Sequence, residues 1–265
     1  MQKRLVTGIV AGAAFIGLLL LGGYWYGGLI ALLALIGYNE YLRMNHLKHS
    51  VTVMLAGLAG LVCLIGPSLG LEWGSWLTLE RLIWVLMFLL LSVTVISKNK
   101  VTLDQAALVL IGVVYIGLGF AYMIVTRMME PHGLFWTLLI FLCIWSTDSG
   151  AYFTGRAIGK HPLWPAISPN KTVEGALGGV VISIIVAVCF HFGRPDLVSL
   201  GQAVVLGAVI AVVGQLGDLI QSAYKRVKGI KDTGTLLPGH GGVLDRVDSW
   251  LIVFPFLHLF SLLPH

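Results

Sequence analysis

Residues 200–222 read LGQAVVLGAVIAVVGQLGDLIQS, and this stretch decides what kind of protein the chain can be. Nothing in it is charged before Asp218. A helix of about 20 mostly apolar residues crosses the hydrocarbon of a bilayer, because it satisfies its backbone groups without water. Asp218 comes near the end of this run, preceded by Val212, Val213, Gly214, Leu216 and Gly217, so its carboxylate lies deeper than surface charge pairing requires. A carboxylate inside or beside a span is costly, which makes it a candidate for function.

The rest of the chain has the same character. Of 265 residues, 57% are apolar and 11% charged, against roughly 25% charged in a soluble domain. Nine spans can be drawn, at 5–22, 24–41, 51–71, 82–97, 106–126, 134–149, 173–192, 200–222 and 243–263. The fold class expected is therefore all-α, a polytopic transmembrane helical bundle. Five spans fall in an N-terminal region, 1–133, and four in a C-terminal region, 134–265, with two cytoplasmic loops. The first run follows Lys3 and Arg4 with no sign of a signal-peptide cleavage site, so it reads as a retained helix. Glycines are abundant, which suits helices that approach closely in lipid.

Orientation follows from charge. With alternating spans and a cytoplasmic N-terminus, only Arg81, Arg127 and Arg194 of the 17 Lys and Arg fall outside. That asymmetry is what the positive-inside rule requires, and dropping a middle span would scramble it. The net charge of +5 suits a basic membrane face, since no soluble basic domain is present to hold nucleic acid. Cys63, Cys143 and Cys189 are far apart in apolar runs, so neither a disulfide framework nor a zinc spacing is expected. Trp73, Trp76 and Trp136 read as interfacial anchors.

Chemistry gathers at the inner ends of the later spans. Asp148 ends the sixth, Asp218 stands near the end of the eighth, and Asp245 and Asp248 open the ninth. Asp218, Ser222 and Lys225 follow at i, i+4 and i+7, one stripe of a helix, and Asp245 and Asp248 at i and i+3 also share a face. Carboxylates hold Mg²⁺, usually one or two per ion with phosphate completing the shell. Lys225, Arg226, Lys228, Lys231 and Arg246 are donors suited to phosphate oxygens. Gly229, Gly234, Gly239, Gly241 and Gly242 allow backbone N–H groups to turn toward an anion. The bland alternative is an interfacial charge network, with Asp245 and Asp248 merely complementing a helix dipole. For the set as a whole, acid, cation and glycine together describe phosphoryl chemistry.

Two inner loops, 150–172 and 223–242, carry these residues. The first contains Pro162, Pro165 and Pro169 and ends in Ser168, Asn170, Lys171 and Thr172 before the seventh span. Such a cluster at a helix start is an anion site, and Thr172 or Asn170 is also a cap with Glu174 in the first turn. His240 reads either as an acid–base group or as a residue of a Gly-rich turn.

Ser222, Lys225, Arg226, Lys231, Asp232, Gly234, Leu237, Pro238, His240, Gly241, Gly242, Asp245, Arg246 and Asp248, in that order and spacing, resemble the signature of the CDP-diacylglycerol synthases, the phosphatidate cytidylyltransferases. Asp148, Ala151, Tyr152, Gly155, Gly159, Lys160 and the run from Ser168 to Gly175 resemble the same family. Tyr224 departs from it, where an aliphatic residue is usual. The resemblance is sharp from Asp148 to Asp248, and the first five spans match only in general character. It implies cytidylyl transfer from CTP to phosphatidate, giving CDP-diacylglycerol and pyrophosphate, with Mg²⁺ and room for a second cation. It further implies a multi-pass cell-membrane enzyme, a homodimer, with its active site facing the cytoplasm. On this reading Asp218 and Asp245 are the principal metal ligands, with Asp248 and Asp148 as further members. Lys225 and Arg246 act in catalysis, and Ser168, Asn170, Lys171, Thr172, Ser222, Arg226, Lys231 and His240 bind substrate. An anion transporter is the competing class, but it calls for charge near mid-span and on both sides. A CDP-alcohol phosphotransferase ranks lower, since no Asp-Gly and Ala-Arg pattern with spaced Gly and Asp is present.

Overall fold

A computed structural model describes residues 2–47, 51–74, 76–234 and 241–264, with side chains from Gly8 onward. Its helices are α1 (Gln2–Leu21), α2 (Gly23–Met44), α3 (Val51–Ile65), α4 (Leu79–Ile96), α5 (Leu103–Met128), α6 (Gly133–Ile158), α7 (Val173–Gly193), α8 (Leu200–Val227) and α9 (Leu244–Leu259). The all-helical expectation holds, with one local addition described below. Among the described residues, six helices are long and apolar enough to cross a membrane, counting α3 with the short 3-10 turn that extends it to Leu69, and α4 to α8. α2 has the length, but Gly and Tyr open it and Asn39 and Glu40 interrupt its end. α9 is 16 residues long and begins with Asp245, Arg246 and Asp248.

The chain divides into two compact units. The first comprises residues 1–128 with 232–246. Its centre is α5, where Val109, Val113, Ile116, Phe120, Met123 and Ile124 are wholly buried. Tyr41 of α2 donates to Leu108 O at 2.8 Å, so the packed α2 face is fixed along α5 by a hydrogen bond as well as by shape. The outward faces are apolar too: on α4, Trp84, Val85, Phe88 and Leu89 are exposed, a surface suited to acyl chains and not to water.

The second unit comprises residues 129–231 with 247–265. Small residues let its helices close up, as in other lipid-facing bundles. A Cβ at Gly175 of α7 would lie 2.7 Å from Ala151 O of α6, so no larger residue fits that crossing. α7 is tied onward to α8 by Ser183 Oγ, which donates to Gly207 O at 2.9 Å. At Gly217 of α8 a Cβ would lie 2.9 Å from Asp248 O of α9.

Three expectations of local structure are corrected. The segment 150–172 is not loop from its start: α6 continues through Ile158, since the one glycine in Ala151-Tyr-Phe-Thr-Gly-Arg costs a helix only about 1 kcal/mol and no proline follows before Pro162. Likewise α8 runs on to Val227, five residues beyond the expected end. Between α6 and α7 lies an antiparallel hairpin, β1 (Pro162–Trp164) and β2 (Ser168–Thr172), paired Pro162 to Thr172 and Trp164 to Ser168. Prolines explain it: His161, Trp164 and Ser168 each precede one and are driven into extended backbone.

Candidate active site

The hairpin carries Lys171 to the site and Thr172 to the start of α7. Thr172, at the end of β2, caps α7 by accepting from Gly175 N at 3.1 Å, which settles the cap in favour of Thr172 over Asn170. Glu174, in the first turn, accepts from Lys160 N at 3.1 Å and His161 N at 3.2 Å, anchoring the chain that leads into β1. With both ends held, Lys171 projects to α8, where its ammonium is bonded to Asp218 Oδ2. Neither side chain is sealed away: Lys171 is 29% and Asp218 31% exposed. Ser222 Oγ donates to the other Asp218 oxygen at 3.4 Å, so the expected stripe along α8 is real.

A cavity of about 600 Å³ opens beside this pair. Asp148, Tyr152 and Arg156 line it from α6 at four-residue intervals, which puts them on one face. Leu163, Asn170, Lys171 and Thr172 line it from the hairpin, and Gln215 and Asp218 from α8. Gln215 is held by bonds from its amide to Ala211 O at 3.1 Å and Ala176 O at 3.3 Å, joining α8 to α7. Asp248 is brought in by the close approach at Gly217, and its Oδ1 accepts from Ser249 N at 2.8 Å. The carboxylates of Asp148, Asp218 and Asp248 lie within electrostatic range of one another, with Lys171 near Asp148 and Lys225 near Asp248.

Asp148, Asp218 and Asp248 set hard oxygens beside Lys171, Lys225 and Arg156, a mixture that a divalent cation and a phosphate would satisfy together. Among the described residues no three acidic, His or Cys side chains close on a single point as ready-made ligands. Mg²⁺ does not need such a cage, because it keeps waters and shares its shell with phosphate. The hard-oxygen donor set therefore fits.

The other expected residues are placed as follows. Arg226 Nε donates to Ile167 O at 3.1 Å, so it ties the hairpin turn to α8. Ser168 is in β2 but does not line the cavity, and Lys231 is exposed after the end of α8. Asp245 and Arg246 open α9, in the first unit, where Asp245 Oδ2 accepts from Thr233 N at 2.8 Å, Thr233 Oγ1 at 3.0 Å and Gly242 N at 2.9 Å. His240 lies outside the described residues. Tyr152, Arg156 and Gln215 line the cavity without having been singled out as binding groups. Glu40 was also missed, although a carboxylate in an apolar helix is the same signal that drew attention to Asp218.

Comparison with known proteins agrees over the whole length. The sequence profile of the Cytidylyltransferase family matches residues 2–263. A phosphatidate cytidylyltransferase of Staphylococcus haemolyticus is 43% identical over 260 residues, covering 98% of each chain. Those of Staphylococcus saprophyticus and Staphylococcus aureus are 42% and 40% identical over 98% of each chain. Similarity thus extends through the first five helices, and with its acid, cation and cavity arrangement the chain belongs to the cytidylyltransferase family.

Proposed function

We infer that this chain transfers a cytidylyl group from CTP to phosphatidate, forming CDP-diacylglycerol and pyrophosphate. The observation that carries it is the Lys171–Asp218 pair at the cavity shared by α6, the hairpin and α8, in a chain about 40% identical to phosphatidate cytidylyltransferases.

The chemistry asks little of a base. The second pKa of a phosphate monoester is about 6, so the lipid phosphate is mostly dianionic near neutrality. Its oxygen attacks the α-phosphorus of CTP, and the bond to the β-phosphate oxygen breaks to release pyrophosphate. Repulsion between the two anions is the obstacle, so fixed cations and alignment supply the rate. Lys171 and Lys225 are the cations that hold phosphate, with Arg226 and Arg246 as further donors. The capped start of α7 adds its dipole. Asp148, Asp218 and Asp248 would hold Mg²⁺, and Asp245 is assigned with them from its place one turn before Asp248. When bound, the ion neutralises phosphate charge and orients the phosphates for in-line attack.

We further propose nine spans, a cytoplasmic N-terminus and a site facing the cytoplasm of the cell membrane, as the Lys and Arg distribution supports. A homodimer and a second cation are part of the same proposal. The deciding assay mixes purified full-length protein with phosphatidate, labelled CTP and Mg²⁺ in micelles. A labelled lipid and pyrophosphate are expected; CTP uptake into vesicles without labelled lipid would make the chain a transporter.

A further inference from the structure

We propose that Glu40 is a positioning residue for the reaction, acting through the segment that carries Asp245; this rests on the cytidylyltransferase function and on Asp245 as a ligand. Glu40 stands on α2 and is 5% exposed. Its Oε1 accepts from Val243 N at 2.9 Å, and its Oε2 from Leu244 N at 3.0 Å and Thr233 Oγ1 at 3.2 Å. The two amide donors are the backbone at the start of α9, some 200 residues further along the chain.

Helix starts leave N–H groups without partners, and a local Ser, Thr or Asp normally takes one of them. Here Val243 precedes the first helical residue and its side chain offers no acceptor, so the cap comes from another helix. Two glycines make room for it: a Cβ at Gly234 or at Gly242 would lie 2.4 Å from a Glu40 oxygen. A carboxylate carried into a buried position on an apolar helix is a costly cap, when one substitution at 243 would provide a local one. What the distant carboxylate gains is a connection to Asp245. The Thr233 hydroxyl lies 3.2 Å from Glu40 Oε2 and 3.0 Å from Asp245 Oδ2, with one proton between two acids. Glu40 thereby sets both the start of α9 and the direction in which Asp245 points. Partners that orient a metal ligand are worth about 10- to 100-fold in affinity or activity.

The test uses the purified full-length chain and two readouts. Amide hydrogen exchange of the peptide containing Val243 and Leu244 reports the cap itself. In Glu40→Gln, which keeps the shape but turns an amide NH₂ toward a donor, this exchange is expected to quicken at least tenfold while peptides of α7 stay unchanged. The turnover rate should fall at least tenfold, and the Mg²⁺ concentration for half-maximal rate should rise at least threefold. Faster exchange with rate and Mg²⁺ dependence within twofold of wild type would reduce Glu40 to a cap and overturn the proposal, as would unchanged exchange. If Glu40→Gln does not fold, Thr233→Val removes only the shared hydroxyl and should raise the Mg²⁺ requirement by the same factor; no rise overturns the proposal. A wild-type chain that makes no labelled lipid from CTP and phosphatidate defeats the function and this inference together, whereas variants that match an active wild type defeat the inference alone.

Discussion

The ammonium of Lys171 is bonded to the carboxylate of Asp218, joining the second strand of the hairpin to α8 across 47 positions of sequence. On the proposed mechanism this lysine would hold phosphate and this carboxylate would hold the divalent ion.

Lys171→Met should therefore lower the rate of CDP-diacylglycerol formation by at least 100-fold, the usual scale for losing one group that stabilises developing charge. Lys171→Arg restores the charge but not the compact ammonium, and should recover only part of the loss. Rates measured in mixed micelles at saturating CTP check both.

Asp218→Asn and Asp245→Asn are each expected to abolish turnover while the protein still inserts and purifies as a monodisperse species. Near wild-type rates in either variant would remove that residue from the proposed metal set.

Gly175→Val tests the helix spacing behind the cavity. A Cβ there would already lie 2.7 Å from Ala151 O, so α7 must move away from α6. The strain should cost about 1–3 kcal/mol, seen as a lower thermal midpoint, and activity should fall with it. Gly193→Ala serves as the control, since a Cβ there meets nothing within 4 Å.

Thr172→Ala removes the acceptor for Gly175 N and should destabilise the start of α7 by about 1 kcal/mol. Thr172→Ser keeps the hydroxyl and should behave like wild type in thermal unfolding. Because Thr172 also lines the cavity, a rise in KM for CTP in the Ala variant is expected as well.

Single cysteines placed at Lys231 and Lys98 in a Cys-free background test the orientation. Both should react with a membrane-impermeant thiol reagent only after the cells are opened, and one placed at Arg81 should react in intact cells. Labelling of the Lys231→Cys variant from outside would falsify the cytoplasmic assignment of the site.

Much of this was legible from residue order alone. The eighth apolar run with Asp218 near its end is a helix that carries that residue in both readings, because hydropathy and a 3.6-residue period act over one turn at a time. Ser222 meets Asp218 for the same local reason. The ends of the apolar runs were harder to place. α6 and α8 run on past Ser149 and Ser222, since a polar sequence without a breaker ends an apolar run but not a helix. Prolines at 162, 165 and 169 read as loop, whereas two of them lie in paired strands.

Residue order by itself determined that the chain is helical and apolar, that Asp148, Asp218, Asp245 and Asp248 stand at the ends of its later apolar runs with Lys and Arg close in sequence, and which chemistry such a collection suits. All of that depends on residue type and near spacing. Only the tertiary structure decided that Lys171 pairs with Asp218, that α6 supplies Tyr152 and Arg156 to the same cavity, and that Glu40 caps α9. Those facts hang on contacts between distant segments, and such contacts have no period in the sequence from which they could be read.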